Sequence, residues 1–300
     1  MMPNQVKYAV GMFMWRRKAN IEAILKQVIA YEPPCLFLFF DGPRNPEEQI
    51  EINRVKGICM QLLQQVTFKV EMDEFPSHGG LNKRFRTGLH RLFSEVPCAI
   101  ILEDDTVPNP SFFEYCTFYL THFYHRDDIV ALNGFYKKVS MFEANHSPES
   151  PFTNYIFNPW GWASWAHKFT PLYNPDIKTI SWWQAIRVFM LWKNFDIFQL
   201  RRRLLRDVEN GKLHTWDVQL QWSLFLAGKK VLTPPVNLIQ NVGNDHMAST
   251  FVAGASDFEQ KANHLAFNQL KQTVPHRPDY DLALCKSKRN LKFIKKMLWK

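Results

Sequence analysis

Two hydrophobic patterns alternate along the first half of the chain. Tyr8 to Trp15 is an apolar run of strand length, and so is Cys35 to Phe40. Between them Ile21, Ile24, Leu25 and Val28 recur at helical spacing, which predicts a helix over Ala19 to Tyr31, ended by Pro33-Pro34. Asp41-Gly42-Pro43-Arg44 reads as a turn. The same alternation continues with a helix from about Pro46 to Gln64 and a short strand at Val66 to Val70. The loop Ser77-His78-Gly79-Gly80 then leads into a basic helix, Leu81 to Phe93, and a buried strand ends at Glu103. Strand followed by helix, repeated, predicts an α/β fold with a mostly parallel sheet flanked by helices.

The second half is less regular. Asn133 to Phe157 mixes polar and aromatic residues and predicts loops around one or two strands, and Asn158 to Trp165 reads as an aromatic turn. Ser181 to Arg206 predicts one or two amphipathic helices. Thr215 stands where it can cap a helix over Trp216 to Ala227, with Gly228 at the stop. Short strands are expected at Val231-Leu232 and Val236 to Ile239, separated by Pro234-Pro235.

Composition narrows the class. The chain has 37 basic against 28 acidic residues, a net charge of +9, which favours anionic partners such as nucleotides, phosphates or a membrane surface. No nucleic-acid-binding motif appears, so nucleic acid is not the expected partner. Five scattered cysteines without CxxC spacing predict buried free thiols, and a cytoplasmic location is expected. The tail from Cys285 to Lys300 alternates lysines with Leu291, Phe293, Ile294, Met297, Leu298 and Trp299. That pattern suits either a solvated helix or an interfacial one, the latter touching the inner face of the membrane.

The strongest chemical signal is the end of the strand at Cys98 to Glu103. There the apolar run stops in Glu103-Asp104-Asp105, three adjacent carboxylates that repel one another unless a cation compensates. Acids after a strand often cap the next helix. Here Asn109 supplies the cap and Pro110 the first helical residue, so the helix does not need Asp104 or Asp105.

With Ile-Leu-Glu-Asp-Asp followed by Phe112-Phe113-Glu114-Tyr115, then Gly161-Trp162 and Trp216-Asp217, the chain resembles the GT-A class of nucleotide-sugar-dependent glycosyltransferases. It is most similar to the N-acetylglucosaminyltransferase I-like branch and to bacterial sugar transferases. The resemblance covers about residues 8 to 250. It implies a GT-A (Rossmann-like) domain over residues 1–255, with a nucleotide-sugar half to about 125 and an acceptor half to about 255. Residues 256–300 are expected to form a helical basic tail. It further implies a UDP-sugar donor, Mn²⁺ or Mg²⁺ as cofactor and inverting transfer to a glycan or lipid-linked glycan acceptor. In that scheme Asp105 holds the cation, Asp104 lies near the ribose and Glu103 opens the motif.

The same resemblance assigns the remaining candidates. Arg16 and Arg17 stand where the family keeps a basic residue against the nucleotide, and Asp41 where an acid meets the uracil or ribose. Arg84 falls where related enzymes carry His. Asp217 is the candidate base, the one acid left where relatives have Trp-Asp-Asp-Trp. His246, in the loop after Gly243, is a candidate metal or diphosphate ligand. Trp160, Trp162 and Trp165 suit either a sugar-stacking platform or the core. A sugar nucleotidyltransferase and a non-catalytic basic binding protein are the alternatives. The first would want a glycine-rich loop after strand one, where this chain has Arg16-Arg17-Lys18.

Overall fold

The computed structural model describes residues 6–143, 149–177, 179–243 and 261–289. Its frame is an eight-stranded mixed sheet with helices on both faces, a Rossmann-like α/β arrangement, as the alternation of strand and helix predicts. In chain order the first half runs β1 (Ala9–Met14), α1 (Ile21–Tyr31), β2 (Cys35–Phe40), α2 (Pro46–Leu62), β3 (Lys69–Glu74), α3 (Leu81–Glu95) and β4 (Cys98–Glu103). The second half opens with β5 (Thr106–Pro108), α4 (Pro110–His122), β6 (Ile129–Asn133), α5 (Ser140–Glu143), β7 (Phe152–Asn154) and β8 (Trp162–Trp165). It continues through α6 (Ala166–Phe169), α7 (Trp182–Met190), α8 (Phe195–Glu209), α9 (Asp217–Ala227), β9 (Lys230–Thr233), β10 (Ile239–Asn241) and α10 (Pro278–Arg289).

The strand order is β3-β2-β1-β4-β8-β6-β9-β7, with β8 and β7 antiparallel to the rest. Alternation along each strand assigns residues to the two faces. Val10, Met12, Leu36, Leu38, Ile100 and Leu102 meet Ile21, Leu25, Val55 and Tyr119 of α1, α2 and α4. Ala9, Phe13, Phe37, Phe39, Ala99 and Ile101 meet Phe85, Leu89, Leu92 and Leu224 of α3 and α9. Each such buried side chain contributes about 1.5–3 kcal/mol. A third cluster joins α7, α8 and α10 to the outer end of the sheet through Val188, Ile197, Leu205, Trp222, Tyr280 and Leu284. All five cysteines are free and buried.

Three strand expectations need correcting, among them Val236 to Ile239, where the strand begins only at Ile239 and runs to Asn241 as β10. Trp162 to Trp165 is not a turn but a strand, β8, laddered to β4 on one side and β6 on the other. Its residues are buried on both faces, so the run reads as continuously apolar rather than alternating. Trp162 and Trp165 are therefore core residues rather than a solvent-facing platform. The third strand, expected at Val66 to Val70, begins at Lys69 and runs to Glu74. It is the edge strand, bonded only to β2, and its charged residues suit an edge, whereas Val66 and Phe68 pack on the core from the preceding loop.

The helix signals at Asn109 and Gly228 hold, but Thr215 does not cap α9. The helix starts at Asp217, Trp216 stands at the cap position without a side-chain bond, and the Thr215 hydroxyl turns to the Asp217 carboxylate instead. Asn109 caps α4 by accepting from the Ser111 amide at 3.0 Å, with Pro110 in the first turn. Gly228 ends α9 in the left-handed conformation, φ 63°. Asp281 of α10 is fully buried and accepts from Asn154 Nδ2 (2.8 Å), the Tyr155 amide (2.9 Å), the Ile156 amide (3.3 Å) and Trp192 Nε1 (2.9 Å). Burial pushes its carboxyl up to about 6, with the bonds from Trp192, Asn154 and the Tyr155 amide and the charge of Arg201 pulling against that rise. The folded state thus binds a proton between pH about 4 and about 6 that the unfolded chain has released, so this group's contribution falls as pH rises through that window. Two units correspond to about 3 kcal/mol at most. Urea unfolding across that range should show the fall, and Asp281→Asn should remove it from the difference between the two proteins.

Candidate functional site

The carboxylates occupy the carboxyl edge of the parallel strands, where open α/β sheets bind ligands. Phe13 of β1 pairs with Glu103, and the Asp104 amide donates to the Phe13 carbonyl at 3.1 Å. The turn after β4 is locked by Thr106, whose hydroxyl accepts from the Glu103 amide (2.9 Å) and donates to the Glu103 carbonyl (3.0 Å). Asp104 Oδ2 accepts from the Trp15 amide at 3.1 Å, which fixes that side chain against the end of β1.

Asp105 is held from the other side. β5 and β10 form a two-stranded antiparallel ribbon, and beyond it the Val242 amide donates to the Asp105 carbonyl at 2.9 Å. Gly243 follows, and a Cβ there would collide with the Asp105 carboxylate, so only glycine allows this approach. Arg17 closes the arrangement. Its Nη1 donates to Asp105 Oδ2 at 2.6 Å and lies 3.6 Å from Asp104 Oδ1, while Nη2 donates to the Gly243 carbonyl at 3.3 Å.

A fourth carboxylate lies near enough to Glu103 to act on it electrostatically. Asp217 opens α9, its Oδ1 accepting a hydrogen bond from the Thr215 hydroxyl. The preceding Trp216 is buried, stacked on Phe85 (4.4 Å) and Trp162 (5.7 Å), and Phe85 in turn stacks on Phe13 of β1 at 3.9 Å. This aromatic row ties the start of α9 to the strand beside β4. The Gly161-Trp162 and Trp216-Asp217 motifs, 55 positions apart in sequence, thus meet beside the acids. Glu103 registers the crowding of charge. Its carboxyl is pushed well above the usual range by burial, then by Asp105, Asp104 and Asp217, with Arg17 opposing.

The other predicted residues lie further out. Arg16 Nη1 donates to Glu51 at 3.1 Å and the guanidinium lies over the Trp15 ring, 4.5 Å from its centre. Asp41 has its carboxylate filled by its own loop: it accepts from the amides of Gly42 (2.9 Å), Gly79 (2.8 Å) and Gly80 (3.1 Å), with His78 Nδ1 at 2.8 Å. Arg84 is buried, bonded to Asp73 at 2.7 Å and stacked over Phe75 at 4.4 Å. His246 and its loop fall outside the described residues.

Sequence reasoning missed a small surface next to Asp104. The Trp15 ring carries Arg16 and Arg44 (4.7 Å) against it, with His78 at 5.1 Å and the Trp15 indole N–H bonded to the Gly42 carbonyl at 3.0 Å. The signal available was Trp15 itself, a large aromatic at the end of an apolar strand followed by three basic residues.

Among the described residues no group of three or more His, Cys, Asp or Glu side chains is arranged to enclose a metal ion. That does not conflict with the donor chemistry. Magnesium-like ions in phosphate-handling sites commonly take one or two carboxylates, the rest of the shell coming from water and substrate phosphates. Asp104 and Asp105 are hard-oxygen donors, both partly exposed, and with Asp217 they add to burial in raising the Glu103 carboxyl, Arg17 opposing. The residues present therefore fit such a cation.

No protein-family profile matches the chain, and no curated protein matches it in sequence. Its backbone is similar to solved structures at low identity. GalNAc-T7, crystallised with UDP, GalNAc and Mn²⁺, superposes at 10% identity with a TM-score of 0.48 over 78% of this chain and 43% of that one. The chain thus spans less than half of GalNAc-T7. Mouse xyloside xylosyltransferase 1 superposes with a TM-score of 0.34 at 10% identity, over 74% of this chain and 82% of that one. A UDP-glucose pyrophosphorylase bound to UDP-glucose superposes with a TM-score of 0.37 at 10% identity, over 76% and 90%.

Proposed function

We propose that the chain is a metal-dependent, inverting glycosyltransferase that moves a sugar from a UDP-sugar to a glycan or lipid-linked glycan acceptor. One observation carries this reading: Glu103, Asp104 and Asp105 at the carboxyl edge of β4 lie near Asp217 at the start of α9, with Arg17 drawn onto Asp105. Three consecutive acids suit a cation and the diphosphate it accompanies, and a fourth acid brought near them by α9 suits a base.

In this scheme Asp105 would hold Mn²⁺ or Mg²⁺, with Asp104 beside it near the donor's ribose, and the cation when bound would offset charge developing on the leaving nucleoside diphosphate. His246 is the proposed additional ligand from the loop after Gly243. Arg17 neutralises Asp105 and presents a cation to the donor's phosphates. Trp15, with Arg16, Arg44 and His78 around it, offers a flat cationic surface for the nucleobase. Asp41 supports that surface by ordering the His78 loop, and Arg84 steadies the adjoining start of α3. Asp217 takes the proton from the acceptor hydroxyl as its oxygen bonds to the anomeric carbon and the bond from that carbon to the diphosphate breaks. The Thr215 hydroxyl holds Asp217 in place for that transfer. A nucleotidyltransferase reading is weaker, because β1 leads into Trp15-Arg16-Arg17-Lys18 rather than a glycine-rich phosphate loop.

Thermal unfolding with UDP, with and without Mn²⁺, tests the donor side. At about 100 times Kd the complex gains about 2.7 kcal/mol, a rise of several degrees in Tm, and the rise should require the metal. A Tm unmoved by UDP and Mn²⁺ together would sink the reading.

A further inference from the structure

The solvent-facing side of α7 is apolar where a surface helix is normally polar. Trp182, Trp183, Ile186 and Met190 are 61%, 66%, 47% and 52% exposed, and Phe195, at the start of α8, is 63% exposed. At about 100° per residue the four α7 positions fall within roughly 100° of arc. Val188, fully buried in the cluster with Trp222 and Phe225, points to the opposite side. The helix therefore packs on the protein by one apolar face and presents a second apolar face to solvent. The two indoles stack on each other at 3.5 Å rather than on the core.

The remaining large exposed hydrophobics among the described residues, Val6, Ile50, Met60, Met72, Leu81 and Tyr124, are scattered. The α7 group is contiguous, and contiguous patches mark binding surfaces. Its setting points to one kind of partner. Ser181 to Arg206 contains six basic residues (Arg187, Lys193, Arg201, Arg202, Arg203 and Arg206) against one acid, Asp196. On α8, Arg202, Arg203 and Arg206 are exposed on the same side as Phe195. Indole rings with a dense cationic border suit the boundary between lipid headgroups and acyl chains, where Trp concentrates and arginines meet anionic headgroups. A protein groove would more often be matched by apolar residues with a mixed-charge rim.

We propose that α7 and the start of α8 seat the protein on an anionic lipid surface, with Trp182, Trp183, Ile186, Met190 and Phe195 entering the interface and the arginines contacting headgroups. No described helix is long and apolar enough to cross a membrane, so this is contact from one side. The inference stands apart from the proposed chemistry, because none of these residues belongs to the carboxylate site.

The test is co-sedimentation of the full-length chain with phosphatidylcholine vesicles, with and without phosphatidylglycerol, at about 100 mM salt. The wild type should pellet with the anionic vesicles, and brominated lipids should quench its fluorescence. Trp182→Ser/Trp183→Ser should lower the partition coefficient by about tenfold or more with Tm unchanged, since both side chains lie outside the core. Leu298→Ser/Trp299→Ser, in the basic tail, should have the smaller effect. Wild-type protein left in the supernatant would overturn the proposal, as would a loss that follows the tail variant alone. A dimer in sedimentation equilibrium that the Trp pair dissociates, without vesicle binding, would overturn it in favour of a second copy of the chain.

Discussion

Replacing Asp217 by Asn should lower sugar transfer by about 10²- to 10⁴-fold and leave Mn²⁺-dependent UDP binding unchanged. Asparagine keeps the size of the side chain and an oxygen for the Thr215 hydroxyl, so the bond that positions it survives. Trp216, which anchors this end of α9 between Phe85 and Trp162, is untouched, so the fold should not register the change. What is lost is the capacity to accept a proton from the acceptor hydroxyl. Single-turnover transfer measured beside UDP titration separates the two readouts. If UDP binding falls in parallel with transfer, Asp217 belongs to the donor side and the base lies elsewhere.

The second large effect belongs to Asp105→Asn. Metal-dependent stabilisation by UDP should disappear, and transfer should fall by about 10²- to 10³-fold, the range for losing one electrostatic contact to a developing charge. Arg17 complicates the outcome in a useful way. With Asp105 neutral, its guanidinium retains Asp104 at 3.6 Å and the Gly243 carbonyl at 3.3 Å, so the protein should fold with a modest fall in Tm. Weak, metal-independent UDP binding through Arg17 is the expected residue of activity. Retention of full Mn²⁺-dependent stabilisation would remove Asp105 from the cation site.

Much of this was legible in the sequence because the signals are local. The strand Cys35 to Phe40 is apolar throughout, the cap at Asn109 and the stop at Gly228 are fixed by adjacent residues, and the three acids are consecutive. The misread segments lack a local signature. β8 is four residues long and contains two tryptophans, so its pattern cannot distinguish a buried strand from an aromatic turn. β3 is an edge strand whose charged residues mask its period, and the apolar residues just before it draw attention instead. Within the site, the acids announced themselves but their neighbours did not. Arg17 reaches Asp105 across 88 positions and Gly243 across 226, and Asp41 meets Gly79 across 38. Such pairings are set by the topology of the sheet, which no window of sequence contains. The bonds that Asp41 accepts from the Gly79 and Gly80 amides are one such pairing that Asp41-Gly42-Pro43 alone does not disclose.

The position of β8 limits how this molecule can move. It is laddered to β4 from Cys98–Trp165 to Ile101–Trp162 and to β6 from Ala131–Ser164 to Asn133–Trp162, and it is the sole strand joining the β3-β2-β1-β4 block to β6, β9 and β7. Opening the cleft as two jaws would tear one of those ladders and unstack Trp162 from Trp216. The seam is in effect welded, so a substrate cannot be enclosed by swinging the halves of the sheet together. Any closure over the carboxylates is left to elements outside the ladders, such as the His78 loop beside Trp15, which Asp41 holds through the Gly79 amide.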